Sequence, residues 1–290
     1  VARFNEDITA DRAVTLDQDI TVNEVRFQNN GQSSWTLDAA SGKTLTLDGD
    51  DPFLEYFIPD GASDTLSTPV EVAGNGTGQA VMSFERADGG STSVTWNGGI
   101  ALSRDFNLKV DNFLTFNLNG NITGTGDVTV RHDGHRDVRL NGSSHTFDGR
   151  LTIDHGGNSH VAVDSLPNNV PITISAGRLQ LNDGAETLSV SSLAGNGTLD
   201  NNAAVTPHLT FDVAAGDTEE VDVTVDIGPQ FWDFTKTGQG TVQLNNTWDP
   251  NQQQSVIANG KVVINHGDVP AEDKGVDVQY GATLQIASGI

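Results

Sequence analysis

Short stretches of alternating apolar and polar residues recur along this chain. The clearest are Thr44-Leu-Thr-Leu47, Asn107-Leu-Lys-Val110, Val128-Thr-Val130, Val161-Ala-Val163, Ile172-Thr-Ile174, Val221-Asp-Val-Thr-Val225 and Val276-Asp-Val278. A period of two puts one side of a segment on a core and the other in water, so each reads as a β-strand. Turn-forming clusters separate them: Asn29-Asn-Gly31, Asp48-Gly-Asp-Asp51, Gly89-Gly90, Asn97-Gly-Gly99, Gly156-Gly-Asn158 and Asn201-Asn202. Helical periodicity is almost absent. The pattern predicts an all-β protein.

One phrase, Gly-x-Val/Leu-x-Val/Leu/Ile, orders these strands. It stands at Gly126-Asp-Val-Thr-Val130, Gly149-Arg-Leu-Thr-Ile153, Gly177-Arg-Leu-Gln-Leu181, Gly240-Thr-Val-Gln-Leu244 and Gly260-Lys-Val-Val-Ile264. A half-copy lies at Gly197-Thr-Leu199, and looser copies at Gly42-Lys-Thr-Leu-Thr-Leu47 and Gly281-Ala-Thr-Leu-Gln-Ile286. The step between copies is about twenty to twenty-eight residues, with one gap close to twice that. A β-sandwich spaces its strands without such a larger period. A solenoid stacks like strands on like strands and needs similar phrases at rung spacing. The prediction is a right-handed parallel β-helix over 1–290, read as a fragment of a longer chain.

Residues 50–106 depart from the phrase. They hold the densest aromatic patch, Asp51-Pro-Phe-Leu-Glu-Tyr-Phe-Ile-Pro59, with Phe84 and Trp96 following. They predict less regular rungs and a projecting loop that carries a partner site, with Tyr56, Phe57 and Trp96 as candidate contacts. Trp232, within Phe231-Trp-Asp-Phe234, is a further candidate, because an aromatic ring offers a flat apolar face to a sugar.

Composition narrows the setting. Hydrophobic residues are 36% of the chain, below the usual share, and aromatics 6%. That suits a thin core. The net charge of −24 opposes binding to nucleic acid or to an anionic membrane, and suits an extracellular or saline setting. No stretch is long and apolar enough to span a bilayer. The absence of cysteine removes disulfide stapling and thiol chemistry.

Candidate chemistry is sparse. Five of the seven histidines fall between His132 and His160, among Arg131, Arg136, Arg139 and Arg150. His132 and His135 sit three apart, a spacing that points them to opposite faces of a strand. With Arg136 they read as a partner-binding basic patch on an acidic protein, and a metal site would need a third ligand. Asp48, Asp50 and Asp51 cluster oxygens of the kind calcium takes. No Gly-x-Ser-x-Gly elbow is present. Five Asn-x-Ser/Thr sequences, including Asn121-Ile-Thr123, Asn141-Gly-Ser143 and Asn245-Asn-Thr247, read as turn chemistry.

Phe234-Thr-Lys-Thr-Gly-Gln-Gly-Thr-Val-Gln-Leu-Asn-Asn246, followed by Val256-Ile-Ala-Asn-Gly-Lys-Val-Val-Ile264, resembles the autotransporter-associated β-strand repeat. Lys236, Gly238, Gly240, Thr241, Val242 and Leu244 follow that family's order, and Gly260, Val262 and Ile264 follow its second half. The opening at Val1-Ala-Arg-Phe4 and the strands to Leu47 look like the start of such proteins. The resemblance implies a secreted or cell-surface β-helix of bacteria with no catalytic residues to carry over. The expected function is a structural, adhesive or fibre-forming module. Its partners would be a host or matrix surface, a polysaccharide, or further copies joined through the solenoid ends. The alternative is a carbohydrate-active or carbohydrate-binding β-helix, which needs carboxylates from at least two rungs meeting in a groove beside an exposed aromatic ring.

Overall fold

The computed structural model describes residues 1–4, 10–28, 33–59, 62–74, 76, 78–86, 92–111, 113–132, 134–156, 160–182, 187–201, 208–225, 233–245, 255–265 and 276–286. Every regular element among them is a strand. The chain divides into two compact units, residues 1–149 with 154–162, and residues 150–153 with 163–290. Each is a parallel β-solenoid.

In the first unit each rung visits three sheets in turn. The first sheet stacks Ala2–Phe4, Glu24–Phe27, Phe53–Ile58, Ala80–Arg86, Phe106–Val110 and Val128–His132, all parallel. The second stacks Arg12–Leu16, Trp35–Ala39, Ser63–Leu66, Thr92–Trp96, Leu114–Leu118 and Val138–Leu140. The third stacks Ile20–Val22, Leu45–Leu47, Val70–Val72, Ile100–Leu102, Ile122–Gly124 and Thr146–Phe147. Alternation fixes which side chains enter the core. Phe4, Phe27, Tyr56, Phe84, Val110 and His132 lie in register as one inward column. Their rings pack in sequence, Phe4 on Phe27 at 4.7 Å and Phe27 on Tyr56 at 5.2 Å. Phe84 meets Trp96 edge-on at 5.9 Å.

The segment 50–106 is more regular than its sequence suggests. Its strands continue the three sheets in register. The rungs are longer, because Val25 pairs with Leu54 and Leu54 with Met82, whereas later rungs pair Leu108 with Val130. Within this segment, where a projecting loop was expected, residues 60–61, 75, 77 and 87–91 lie outside the described residues.

Corners are held by ladders of side-chain amides. Asn119 donates to Asn97 at 2.9 Å, and Asn141 donates to Asn119 at 3.0 Å. Gly120 follows in the same corner. A Cβ there would stand 2.0 Å from the Gly98 carbonyl oxygen of the rung below, so only glycine lets the rungs close up.

The second unit stacks Val170–Ala176, Thr187–Gly195, His208–Asp212, Asp233–Thr237, Ser255–Ile257 and Val276–Val278. A four-stranded sheet of Thr218–Val221, Thr241–Leu244, Lys261–Ile264 and Thr283–Ile286 accompanies it. Its corner ladder runs from Asn265 to Asn245 at 2.7 Å and from Asn245 to Asp222 at 3.0 Å. Asn141 and Asn245 therefore serve the ladders. Asn121 accepts from the Ser144 amide at 3.0 Å. These three acceptor-like sequences are corner chemistry, as read.

Candidate functional site

The inward column settles three of the candidate contacts. Tyr56, Trp96 and His132 are each 0% exposed, so none touches a partner. Burial leaves each with an internal role instead. Tyr56 donates its hydroxyl proton to the Trp35 carbonyl. The Trp96 indole N–H donates to the Thr68 carbonyl at 3.0 Å. His132 Nδ1 lies 3.2 Å from His155 Nε2, with the rings edge-on at 4.8 Å. The spacing from His132 to His155 is one rung, equal to the step from Gly126 to Gly149. The sequence held that signal, but the closer spacing to His135 drew attention away from it. His145 is also structural, since its Nδ1 accepts from the Ile122 amide at 2.9 Å.

The acidic turn at Asp48, Asp50 and Asp51 is organised by a cation already present in the chain. Arg104 donates to the Gly49 carbonyl at 2.6 Å, to the Asp50 carbonyl at 2.8 Å, and to the Gly78 carbonyl. Arg104 is itself buried. A permanent guanidinium charge holds the turn's carbonyls, and among the described residues no group of three acidic or histidine side chains converges on one point. Nothing near Arg104 in sequence announced this; it reaches across two rungs to a turn more than fifty residues away.

Trp232 lies outside the described residues. Phe57, His135 and Arg136 do reach the surface, and they share a region. Phe53, Glu55 and Phe57 point outward from the first sheet, opposite Leu54, Tyr56 and Ile58, which point in. Phe57 pairs with Glu85 on the next rung. The Asp111 amide donates to the Phe84 carbonyl at 2.9 Å, which extends the register one step and sets Asp111 beside Glu85. One column inward on the same face, Ser83, Lys109 and Arg131 lie in register. The Ser83 hydroxyl donates to Glu85 at 3.1 Å. Arg131 pairs with Asp154 at 2.9 Å. Ser83, Glu85, Lys109, Asp111 and Arg131 line an open depression of about 320 Å³.

The depression ends at a corner built around Phe113. This residue has φ of 63°, a left-handed conformation costly for a bulky side chain, and its ring is 37% exposed. The Arg86 guanidinium lies 5.2 Å from the ring centre, and His135 packs on it with ring centres 5.3 Å apart. Arg136 stands next to His135, exposed. A second cation–aromatic contact, Arg26 over Phe53 at 5.2 Å, lies on the same sheet face. On a chain of net charge −24 this face is where cations, aromatic rings and paired carboxylates meet.

No protein family, curated protein or solved structure matches this chain. The residues behind the resemblance to autotransporter-associated repeats have a clear local purpose. Lys236 points into the core of the second unit, 0% exposed, and its Nζ donates to the Thr237 carbonyl and, at 2.9 Å, to the Gly238 carbonyl. Gly238 takes φ of 65°, and a Cβ on it would stand 2.3 Å from the Val213 carbonyl oxygen. Lysine and glycine are needed together: the glycine makes the turn, and the lysine satisfies the carbonyls the turn exposes inward.

Proposed function

We propose that this chain is a non-enzymatic, extracellular β-helix module of the bacterial-surface type, a scaffold that presents an adhesive face. One observation carries the reading. Buried Arg104, His145 and Lys236 are spent on the coil's own carbonyls and amides, whereas mixed charge and aromatic rings gather on one open sheet face. Enzyme sites use perturbed groups aimed into a cleft, and this face is open. The resemblance of residues 234–264 to repeats of exported proteins supports the surface setting, and the charge of −24 agrees with it. Self-association through the open sheet edges of a solenoid belongs to the same reading.

A second reading is a carbohydrate-active β-helix. Glu85 and Asp111 favour it: they stand side by side on neighbouring rungs, in a depression flanked by Phe57 and Phe113. Incubation with acidic and neutral polysaccharides, followed by assay of new chain ends, separates the two. The scaffold reading expects none above a buffer blank. Turnover abolished by Glu85→Gln would replace it with the enzyme reading. Light scattering over a dilution series tests self-association, which fails if the mass stays monomeric throughout.

A further inference from the structure

We propose that the strip from Lys109 to the Phe113 corner binds an acidic polysaccharide, one whose sugars carry carboxylate or sulfate groups. The inference rests on the adhesive reading above and names its ligand class.

Three features of the strip have to be answered by one ligand. The first is the exposed Phe113 ring, held in a backbone conformation that a phenylalanine avoids. Asparagine or glycine would take φ of 63° at less cost, so the fold alone gives no reason for an aromatic there. A ring kept at such a position, partly exposed beside Arg86 and His135, offers a platform for the apolar face of a sugar. The second feature is the cations. Lys109 and Arg136 are exposed and make no ion pair with any described residue, in a chain with more than twice as many acids as lysines and arginines. They suit anionic groups spaced along a polymer. The third is Glu85 and Asp111, which lie between Lys109 and the ring. Carboxylates accept hydrogen bonds from hydroxyls and repel anions.

A sugar chain with one acidic group per residue meets all three demands: hydroxyls for Glu85 and Asp111, anions for Lys109 and Arg136, and an apolar ring face for Phe113. Nucleic acid meets them poorly. Its sugar hydroxyls are largely consumed in phosphodiester bonds, which leaves few donors for Glu85 and Asp111. A neutral glycan would leave the cations unused. An acidic surface of a second copy offers anions but no polymer of hydroxyls.

The test is binding by affinity electrophoresis of the folded chain in gels holding polygalacturonate, dextran sulfate, or neutral dextran. Retardation is expected with one or both acidic polymers, and which one tells carboxylate from sulfate. It should weaken as salt is raised, and be absent with dextran. Phe113→Asn keeps a residue that tolerates the left-handed backbone, so it removes the ring without unfolding the corner. It should weaken binding about tenfold, with an unchanged or raised melting temperature. Arg136→Gln should weaken binding several-fold. Equal retardation by dextran would overturn the acidic class and leave the adhesive reading standing. Unchanged affinity in both variants would place the ligand elsewhere, and no retardation by any polymer would end the proposal. Cleavage of the polymer would instead overturn the non-enzymatic reading while leaving the strip as its binding site. Oligomers in polymer-free solution that dissociate in both variants would make the strip a self-association surface and overturn the proposal.

Discussion

In the first unit an inward column runs through Phe4, Phe27, Tyr56, Phe84, Val110 and His132; in the second, a column runs through Val190, Phe211, Lys236 and Ile257. Both interiors enclose an ionisable group where the fold would accept an apolar one. In the first, beside the buried histidines, one is Asp64, 3% exposed, in register with Val94 and one step from Leu66, which pairs with Leu37. In the second it is Lys236. Their surroundings differ. Lys236 reaches two turn carbonyls. Neither Asp64 oxygen has a well-formed hydrogen bond: the Ser34 and Tyr56 side chains lie near enough to favour the carboxylate somewhat, but burial outweighs them, and the Tyr56 hydroxyl gives its proton to the Trp35 carbonyl. A charged side chain inside a narrow coil is thus part of the fold when the coil's own unpaired carbonyls lie within reach. Otherwise it is a cost carried by the surrounding packing.

The comparison breaks hardest at Lys236. Replacing it with methionine keeps most of the volume but strips the donors from the Thr237 and Gly238 carbonyls. Leaving buried carbonyls unsatisfied should cost about 2–4 kcal/mol. The measurement is the urea midpoint, with hydrogen exchange locating the loss in the second unit. Burial lowers the Lys236 pKa, partly offset by Asp212. If methionine proves neutral or stabilising, the carbonyl contacts contribute little and the two interiors are alike.

Asp64 should answer in the opposite sense. Burial pushes its carboxyl above the usual range, so the folded state holds the proton more tightly than the unfolded chain does. The stability linked to that group is complete below the ordinary carboxylate range and is lost as pH rises through the raised value. Asp64→Asn removes the charge at nearly constant shape. It should stabilise the chain at pH 7 by about 1–3 kcal/mol, an advantage that shrinks as pH falls toward the ordinary carboxylate range. Tyr56 belongs to the same environment: burial first, and the Asp64 charge second, hold its hydroxyl protonated far above its usual range. A loss of stability in Asp64→Asn at neutral pH would mean that the carboxylate is satisfied after all.

What the sequence could disclose divides along the same line. The strand phrase, its step and the turn residues depend on local backbone demands, and those are written locally: Gly-x-Val/Leu marks a turn entering a half-buried strand. The β-helix was legible for that reason. Which side of a strand a residue faces was legible where alternation is clean, as at Leu45–Leu47, whose two leucines are buried and whose threonine is not. It failed where larger rungs carried larger side chains: Tyr56 and Trp96 looked like surface aromatics and form the core. Arg104 was invisible because its partners are carbonyls on other rungs, and carbonyls have no sequence. The strip was half legible. Phe57, His135 and Arg136 were singled out by type, while Phe113, Arg86 and Lys109 join them only through rung register.

The smallest expected effect is at the corner ladders, where the two units look alike. Asn119 sits mid-ladder, accepting from Asn141 and donating to Asn97. Asn245 likewise accepts from Asn265 and donates to Asp222, so its ladder ends on a charged acceptor. A hydrogen bond to a charged group outweighs a neutral one, but both corners face water, which competes for the same groups. Asn119→Ala should therefore cost about 1 kcal/mol and Asn245→Ala slightly more, both read as shifts in urea midpoint at constant slope. If Asn119 matters more despite its neutral partner, stacking of identical amides, rather than acceptor charge, sets the strength of these corners. The units would then differ in what they bury and agree in how they turn.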